Sequence, residues 1–166
     1  MSLRDDPAAS GRLLAMLFAG VEPRLWADLA ETGRVPAAHA DAARAEWECL
    51  ALDACLRGLV AAGGFGERTA EAVDAFHTAV LEGWSAAGAP VAPRRERLTA
   101  RYEEYGALAR GLEAKGAARV SATLGEAAAT HACAPESPPA ELAAFFGAMH
   151  EAITEGAAAA LATDEA

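Results

Sequence analysis

The residues whose types and spacing suit chemistry lie in the segment EWECLALDACLRG, which runs from Glu46 to Gly58, and in the segment that follows it. At about 100° of rotation per residue, Glu46, Asp53 and Arg57 fall on one side of a helix, inside its apolar arc. His77 occupies the middle of the apolar face of the next helix. A buried imidazole needs a partner for each ring nitrogen, and a buried carboxylate needs a positive charge or several donors. The pattern therefore predicts a polar cluster between these two helices, in which Asp53 is hydrogen-bonded to His77.

Two tyrosines of a later helix extend the predicted cluster. Tyr102 and Tyr105 share one apolar face, and each buried ring needs a partner for its hydroxyl group. Either they are large core residues whose hydroxyls reach the rim, or they hold a proton beside the Asp–His pair. The candidate ligand-binding residues are therefore Glu46, Asp53, Arg57, His77, Tyr102 and Tyr105.

A metal site would need further ligands at helical spacing. A di-metal bundle carries two Glu-x-x-His turns, whereas only the segment DAFH, Asp74 to His77, has a comparable shape here. Zinc also accepts irregular ligand sets, and the candidate ligands are then Glu46, Asp53, His77 and His131. Because nothing in their spacing requires a metal, we expect no cofactor.

No nucleophile is predicted. Cys49 lies one turn from Asp53 and Ser121 lies in an ordinary helical pattern, but neither is on a sharp turn or a helix N-terminus that would activate it. His150 sits at the edge of an apolar helical face. The glycine-rich segment AAGGFGER lacks the lysine and the preceding strand of a phosphate loop, so we interpret it as a hairpin turn. An enzymatic activity stays open, and a non-enzymatic protein is favoured.

Glycine and proline divide the chain into helical segments, and the alternating pattern of strands is almost absent. The sequence therefore predicts an all-α single domain over residues 1–166, a bundle of about six to seven helices. Helices 37–62 and 68–87 are expected to form a long central antiparallel hairpin. Residues 1–6 and 157–166 are expected to fray, because few apolar residues anchor them. The predicted helices lie near 7–19, 23–32, 37–62, 68–87, 94–115, 117–132 and 138–161.

The apolar content suggests a thin core. Of the 166 residues, 47 are alanine, against 41 of all the other hydrophobic types. Asn and Gln are absent, which indicates a GC-rich bacterial genome. Such small side chains leave apolar helix faces uncovered, and a two-fold dimer is the commonest way to cover them. We therefore expect a homo-oligomer or a protein partner.

Charge and cysteine content restrict the possible partners and location. The net charge of −10 disfavours nucleic-acid binding. The sequence contains no apolar run of 18 residues, so no membrane helix is predicted. Three cysteines without CxxC spacing favour free thiols, and the N-terminus lacks the order of a signal peptide, so we expect a cytoplasmic protein. The leading hypothesis is a cytosolic helical protein that acts through protein–protein contacts. The alternative is a ligand- or metal-binding bundle that uses the polar cluster.

Overall fold

The computed structural model describes residues 6–112, 114 and 116–162, and over these residues it contains six α-helices and no strand. The prediction of an all-α bundle is confirmed, whereas the single domain stays a prediction. A short 3-10 turn at Ala37–His39 precedes the second helix. The helices are α1 (Pro7–Glu31), α2 (Ala40–Gly63), α3 (Glu67–Ala86), α4 (Val91–Arg110), α5 (Ala117–Cys133) and α6 (Ala140–Ala162).

Helix α1 is continuous where the sequence predicted a break. It begins as expected, with the Asp6 carboxylate accepting a hydrogen bond from the Ala9 amide at 2.8 Å and with Pro7 in the first turn. It then runs through Gly20 and Pro23, both of which lie on its exposed face. Water can satisfy the one backbone carbonyl that the proline deprives of a partner, so the helix has no reason to end there.

Helix α2 is the central element, since it packs against all five other helices. It carries Trp47 and Leu50 into one apolar core, and Leu52 and Leu59 into a second core on its other side. This two-sided burial explains why the helix shows no clean amphipathic pattern. Trp47 of α2 and Trp84 of α3 accordingly belong to different cores.

The predicted hairpin of α2 and α3 does not form the main packing interface. The two helices follow each other across residues 64–66 and touch, but α3 packs mostly against α1, and α2 packs mostly against α6 and α5. The face of α2 that was expected to meet α3 is therefore covered largely by α6.

Glycines at three crossings permit this close packing. A Cβ atom added to Gly11 would lie 2.1 Å from the carbonyl oxygen of Ala72, where α1 crosses α3. At Gly58 it would lie 2.5 Å from the Cβ atom of Ala157, where α2 crosses α6. At Gly125 it would lie 2.3 Å from the amide nitrogen of Gly147, where α5 crosses α6. The backbones approach so closely there that only hydrogen fits.

The end of α6 differs from the expected fraying. The helix continues to Ala162, and Ala157 and Leu161 are buried in the second core. The remainder of the predicted frayed ends, residues 1–5 and 163–166, lies outside the described residues. Among the helices of the described chain, none has both the length and the apolar character needed to cross a membrane.

Candidate functional site

A chain of four polar side chains links α2, α6 and α5 through the middle of the bundle. Arg57 donates from Nε to Oδ2 of Asp53 at 2.6 Å, and the same Oδ2 atom lies 3.1 Å from Nε2 of His150. Nδ1 of His150 lies 2.9 Å from Oγ of Ser121. Asp53 and Ser121 are each 4% exposed and His150 is 1% exposed, so these three side chains are buried, whereas Arg57 is partly exposed.

The carboxylate fixes the hydrogen-bonding roles in this chain. The Asp53 carboxylate can only accept, so a neutral His150 carries its proton on Nε2 and donates it to Asp53. In this neutral ring Nδ1 is an acceptor, and the Ser121 hydroxyl is the donor to it. Ser121 therefore directs its proton toward a base whose other nitrogen is held by an acid.

An open cavity of about 780 Å³ lies over this chain. Asp53, Arg57, His150 and Ser121 all line it, so the buried network forms part of a cavity wall. Helix α4 and the start of α5 form the opposite part of the lining, in which Tyr102 and Arg110 are polar. Further lining residues are Leu56, Val60, Ala61, Phe65, Tyr102, Gly106, Ala109, Arg110, Gly116, Ala117, Val120 and Thr154.

The predicted hydrogen bond between Asp53 and His77 is wrong. His77 instead lies 3.0 Å, through Nε2, from the hydroxyl of Tyr102. Burial lowers the pKa of His77, against an opposing effect of Asp74. Burial, followed by the charge of Asp53, raises the pKa of Tyr102 well above its usual value. The tautomer of His77 decides which of the two groups donates, and His77 reaches the cavity through this tyrosine.

Glu46 belongs to a separate network on the other side of α4. Arg101 clamps its carboxylate with two hydrogen bonds of 2.5 and 2.8 Å. Arg101 also reaches Glu104 at 3.4 Å, and Glu104 lies 2.9 Å from Nε2 of His131. Glu46 is 5% exposed, so the arginine neutralises a charge that would otherwise be buried alone.

Tyr105 is a core residue. It is fully buried in the first core, and neither its hydroxyl nor the indole nitrogen of Trp47 has a hydrogen-bond partner among the described residues. Burial, followed by the charge of Glu46, raises the pKa of Tyr105. The expectation that its hydroxyl reaches the rim is wrong, and it does not line the polar cavity.

The candidate metal ligands are not brought together. Asp53 bonds to His150, Glu46 to Arg101, His77 to Tyr102 and His131 to Glu104. In the part of the chain that the structure describes, no group of three or more His, Cys, Asp or Glu residues is arranged to hold a metal ion. The predicted polar cluster is thus divided into three separate sets of contacts, around Asp53, around His77 and around Glu46. The set around Asp53 lines the cavity, and Tyr102, the partner of His77, lines it too.

Two residues of the site were not among the candidates. Ser121 precedes Gly125 by one turn, and His150 follows Gly147 by one turn, so the glycine crossing of α5 and α6 brings their side chains together. In the sequence, Gly125 and Gly147 are the feature that indicates this crossing, since small residues at matching positions of two helices permit a close approach. The contact between Ser121 and His150 depends on how α5 and α6 are arranged in space. The periodicity within one helical segment does not predict that arrangement.

Comparisons with known proteins give no assignment: no family model matches the sequence, and no curated protein or solved structure is significantly similar to it.

Proposed function

We propose that the protein binds a small anionic organic molecule in the cavity between α2, α4, α5 and α6. The observation that carries the proposal is that three buried polar residues, Asp53, His150 and Ser121, contribute to the lining of an open cavity of about 780 Å³. Ligand pockets commonly have volumes of about 300–1,000 Å³ and combine apolar walls with a few fixed polar groups. This cavity has both, because Leu56, Val60 and Val120 supply apolar walls.

The charges of the cavity favour an anion. Arg57 and Arg110 line it, and Asp53 is the acid among the lining residues, so the lining is positive in a protein whose net charge is −10. Arg57 uses its Nε group on Asp53, and Arg110 forms no ion pair with any residue of the described chain. The lining also includes Gly116 and Ala117 at the N-terminus of α5, where no side chain caps the free amide groups. The helix dipole adds positive potential at this point.

The test compares benzoate with benzamide, which has the same shape and no charge. Both are titrated into the ¹⁵N-labelled protein, and amide chemical shifts are followed by NMR. We expect benzoate to move the signals of Gly106, Ala117 and Ser121, with much smaller changes for benzamide. Arg110→Gln should weaken benzoate binding about fivefold, because it removes a partly solvated charge.

Arg12→Gln is the matched control, since Arg12 is an exposed arginine of α1 that does not line the cavity. It should leave the benzoate affinity unchanged. Signals that move only outside the cavity, or equal binding of benzoate and benzamide, would contradict the proposal.

A second proposal concerns self-association through α1. Leu13, Met16, Leu17 and Val21 are exposed on α1, and Met16 is 72% exposed. Leu17 and Val21 also line an apolar groove of about 360 Å³ between α1, α2 and α6. The other residues that line this groove are Leu14, Phe18, Glu22, Leu25, Ala51, Cys55, Met149, Ala152, Ile153, Gly156, Ala157 and Ala160. A ridge and a groove on one face are self-complementary under a two-fold axis, which supports a homodimer.

Sedimentation velocity at micromolar concentration and physiological salt tests this second proposal, because salt screens the repulsion between two copies of charge −10. The wild type should sediment as a dimer and Met16→Glu as a monomer. Phe65→Glu is the control, since Phe65 is 94% exposed but lies away from α1, on the rim of the polar cavity. A monomeric wild type, or a dimer that survives Met16→Glu, would refute it.

We also propose that the protein works in the cytoplasm, in line with the sequence. The support is that Cys49, Cys55 and Cys133 are all buried free thiols, which persist in a reducing compartment.

A further inference from the structure

We propose that Ser121 is a nucleophile activated by His150, and that the protein hydrolyses small carboxylic esters in the polar cavity. This inference rests on the proposed function, because the substrate must enter the same cavity. It adds a chemical step and a substrate class. The carboxylate product is also an anion of the kind that the cavity is proposed to bind.

The geometry is that of a serine held by an imidazole and an acid. Ser121 Oγ lies 2.9 Å from Nδ1 of His150, and Nε2 of His150 lies 3.1 Å from Asp53. The roles match those of a Ser-His-Asp triad with the two ring nitrogens exchanged. Asp53 is itself held by Arg57 at 2.6 Å, so the acid is fixed on the far side from the serine.

The hydrogen bond of Ser121 differs from those of several other hydroxyl residues of the protein. A hydroxyl within a helix usually donates to the backbone carbonyl three or four residues earlier. Ser121 donates instead to the side chain of His150 on another helix. Those that follow the usual pattern in this protein are Ser10, Thr32, Thr99, Thr130 and Thr154.

The surroundings also distinguish the network from one that only stabilises the core. A structural network needs no free space beside it, whereas Ser121, His150 and Asp53 all line the cavity. The N-terminus of α5 at Ala117 lines the same cavity one turn before Ser121, and its positive potential is suited to stabilise negative charge on a substrate oxygen.

The acylation step follows from these positions. Ser121 Oγ forms a bond to the ester carbonyl carbon, and its proton passes to Nδ1 of His150. Asp53 stabilises the imidazolium that forms. The bond between the carbonyl carbon and the alcohol oxygen then breaks, and the alcohol leaves with the proton from His150.

Deacylation uses water and restores the enzyme. A water molecule gives a proton to Nδ1 of His150 while its oxygen bonds to the acyl carbon. The bond from that carbon to Ser121 Oγ then breaks, and Oγ recovers the proton. One ester and one water molecule thus give one alcohol and one carboxylic acid. Ser121 and His150 are the catalytic residues, and Asp53 is a positioning residue.

The experiment measures hydrolysis of 4-nitrophenyl butyrate by release of 4-nitrophenolate. Wild type should show saturable turnover, and Ser121→Ala should lower kcat/KM by on the order of 100-fold or more. Ser10→Ala is the matched control, because Ser10 is also a buried serine within a helix but bonds to a backbone carbonyl. Asp53→Asn should lower kcat and leave KM within about threefold of the wild-type value. The amide no longer fixes the proton of His150 on Nε2, but no substrate contact is removed.

A second measurement needs no variant. The wild type is treated with a fluorophosphonate, and the modified peptide is identified by mass spectrometry. A phosphonyl adduct on Ser121 is expected, formed as Oγ displaces fluoride. Absence of the adduct, or turnover that survives Ser121→Ala, would overturn the inference. If benzoate still moves the cavity signals while neither adduct nor turnover is found, the catalytic inference fails and the binding proposal stands. If an adduct forms on Ser121 but benzoate does not bind, the catalytic inference stands and the binding proposal fails.

Discussion

Replacing Gly125 by alanine should separate α5 from α6 and destabilise the protein. The added Cβ atom would lie 2.3 Å from the amide nitrogen of Gly147 and 2.8 Å from the carbonyl oxygen of Ala143. Both obstacles are backbone atoms of α6, so a side-chain rotation cannot relieve the contact. To reach an ordinary contact, which begins near 3.4 Å, the helices must move apart by about 1.1 Å.

The magnitude is the balance of two effects. Overpacking of this kind costs about 1–3 kcal/mol, and we expect the upper end because two helices must move together. Alanine within a helix recovers up to about 1 kcal/mol relative to glycine. The movement also stretches the 2.9 Å contact between Ser121 and His150 beyond hydrogen-bonding range, which removes about 1 kcal/mol more. The net loss is about 2–3 kcal/mol.

Urea denaturation followed by circular dichroism measures this loss. For a chain of this length, it corresponds to a fall in Tm of about 5–10 °C. Gly83→Ala is the control, because Gly83 lies on the exposed face of α3 with no atom within 4 Å of an added Cβ. It should stabilise the protein by about 0.5–1 kcal/mol. If Gly125→Ala leaves the free energy of unfolding within about 0.5 kcal/mol of the wild-type value, the close approach of α5 and α6 does not restrict the side chain at position 125.

The remaining predictions concern the buried rings. Tyr105→Phe removes a hydroxyl without a partner and should raise the free energy of unfolding by about 1 kcal/mol, whereas Tyr102→Phe removes the hydrogen bond to His77 and should lower it by about the same amount. Urea denaturation of both variants checks this, and a marked loss of stability in Tyr105→Phe would contradict it. Because burial lowers the pKa of His77 from 6.5, the unfolded chain binds more protons at acid pH; this part of the stability is complete above pH 6.5 and is lost as the pH falls through the folded pKa. The fall in Tm between pH 7 and pH 5 should therefore be smaller for His77→Phe than for the wild type, and equal falls would count against the prediction.

Local features of the polar cluster could be predicted from the sequence. Asp53 and Arg57 are four residues apart on one helical face, and their ion pair follows from that spacing. The burial of Asp53 and Glu46 also followed from their positions within the apolar arc of α2. These inferences depend only on the rotation per residue within one helix.

The partners of these residues could not be predicted in the same way. Pairing Asp53 with His77 assumed that consecutive helices pack most closely, but Gly11 lets α1 approach Ala72 and take the main contact with α3. Helix α6 then covers Asp53 and supplies His150 from 97 residues away. Helices become neighbours where their backbones can approach most closely. That distance depends on the residues of both helices, so the pattern within one helix does not predict it.

The buried thiols of α2 allow partial opening of the bundle to be measured by chemical labelling. Burial raises the pKa of both Cys49 and Cys55 to about 12, so the reactive thiolate is almost absent while α2 is enclosed. Alkylation by iodoacetamide must therefore wait for fluctuations that expose these sulfur atoms to water. Under native conditions, the labelling rate of each cysteine then measures the free energy of the opening that releases the central helix from its neighbours.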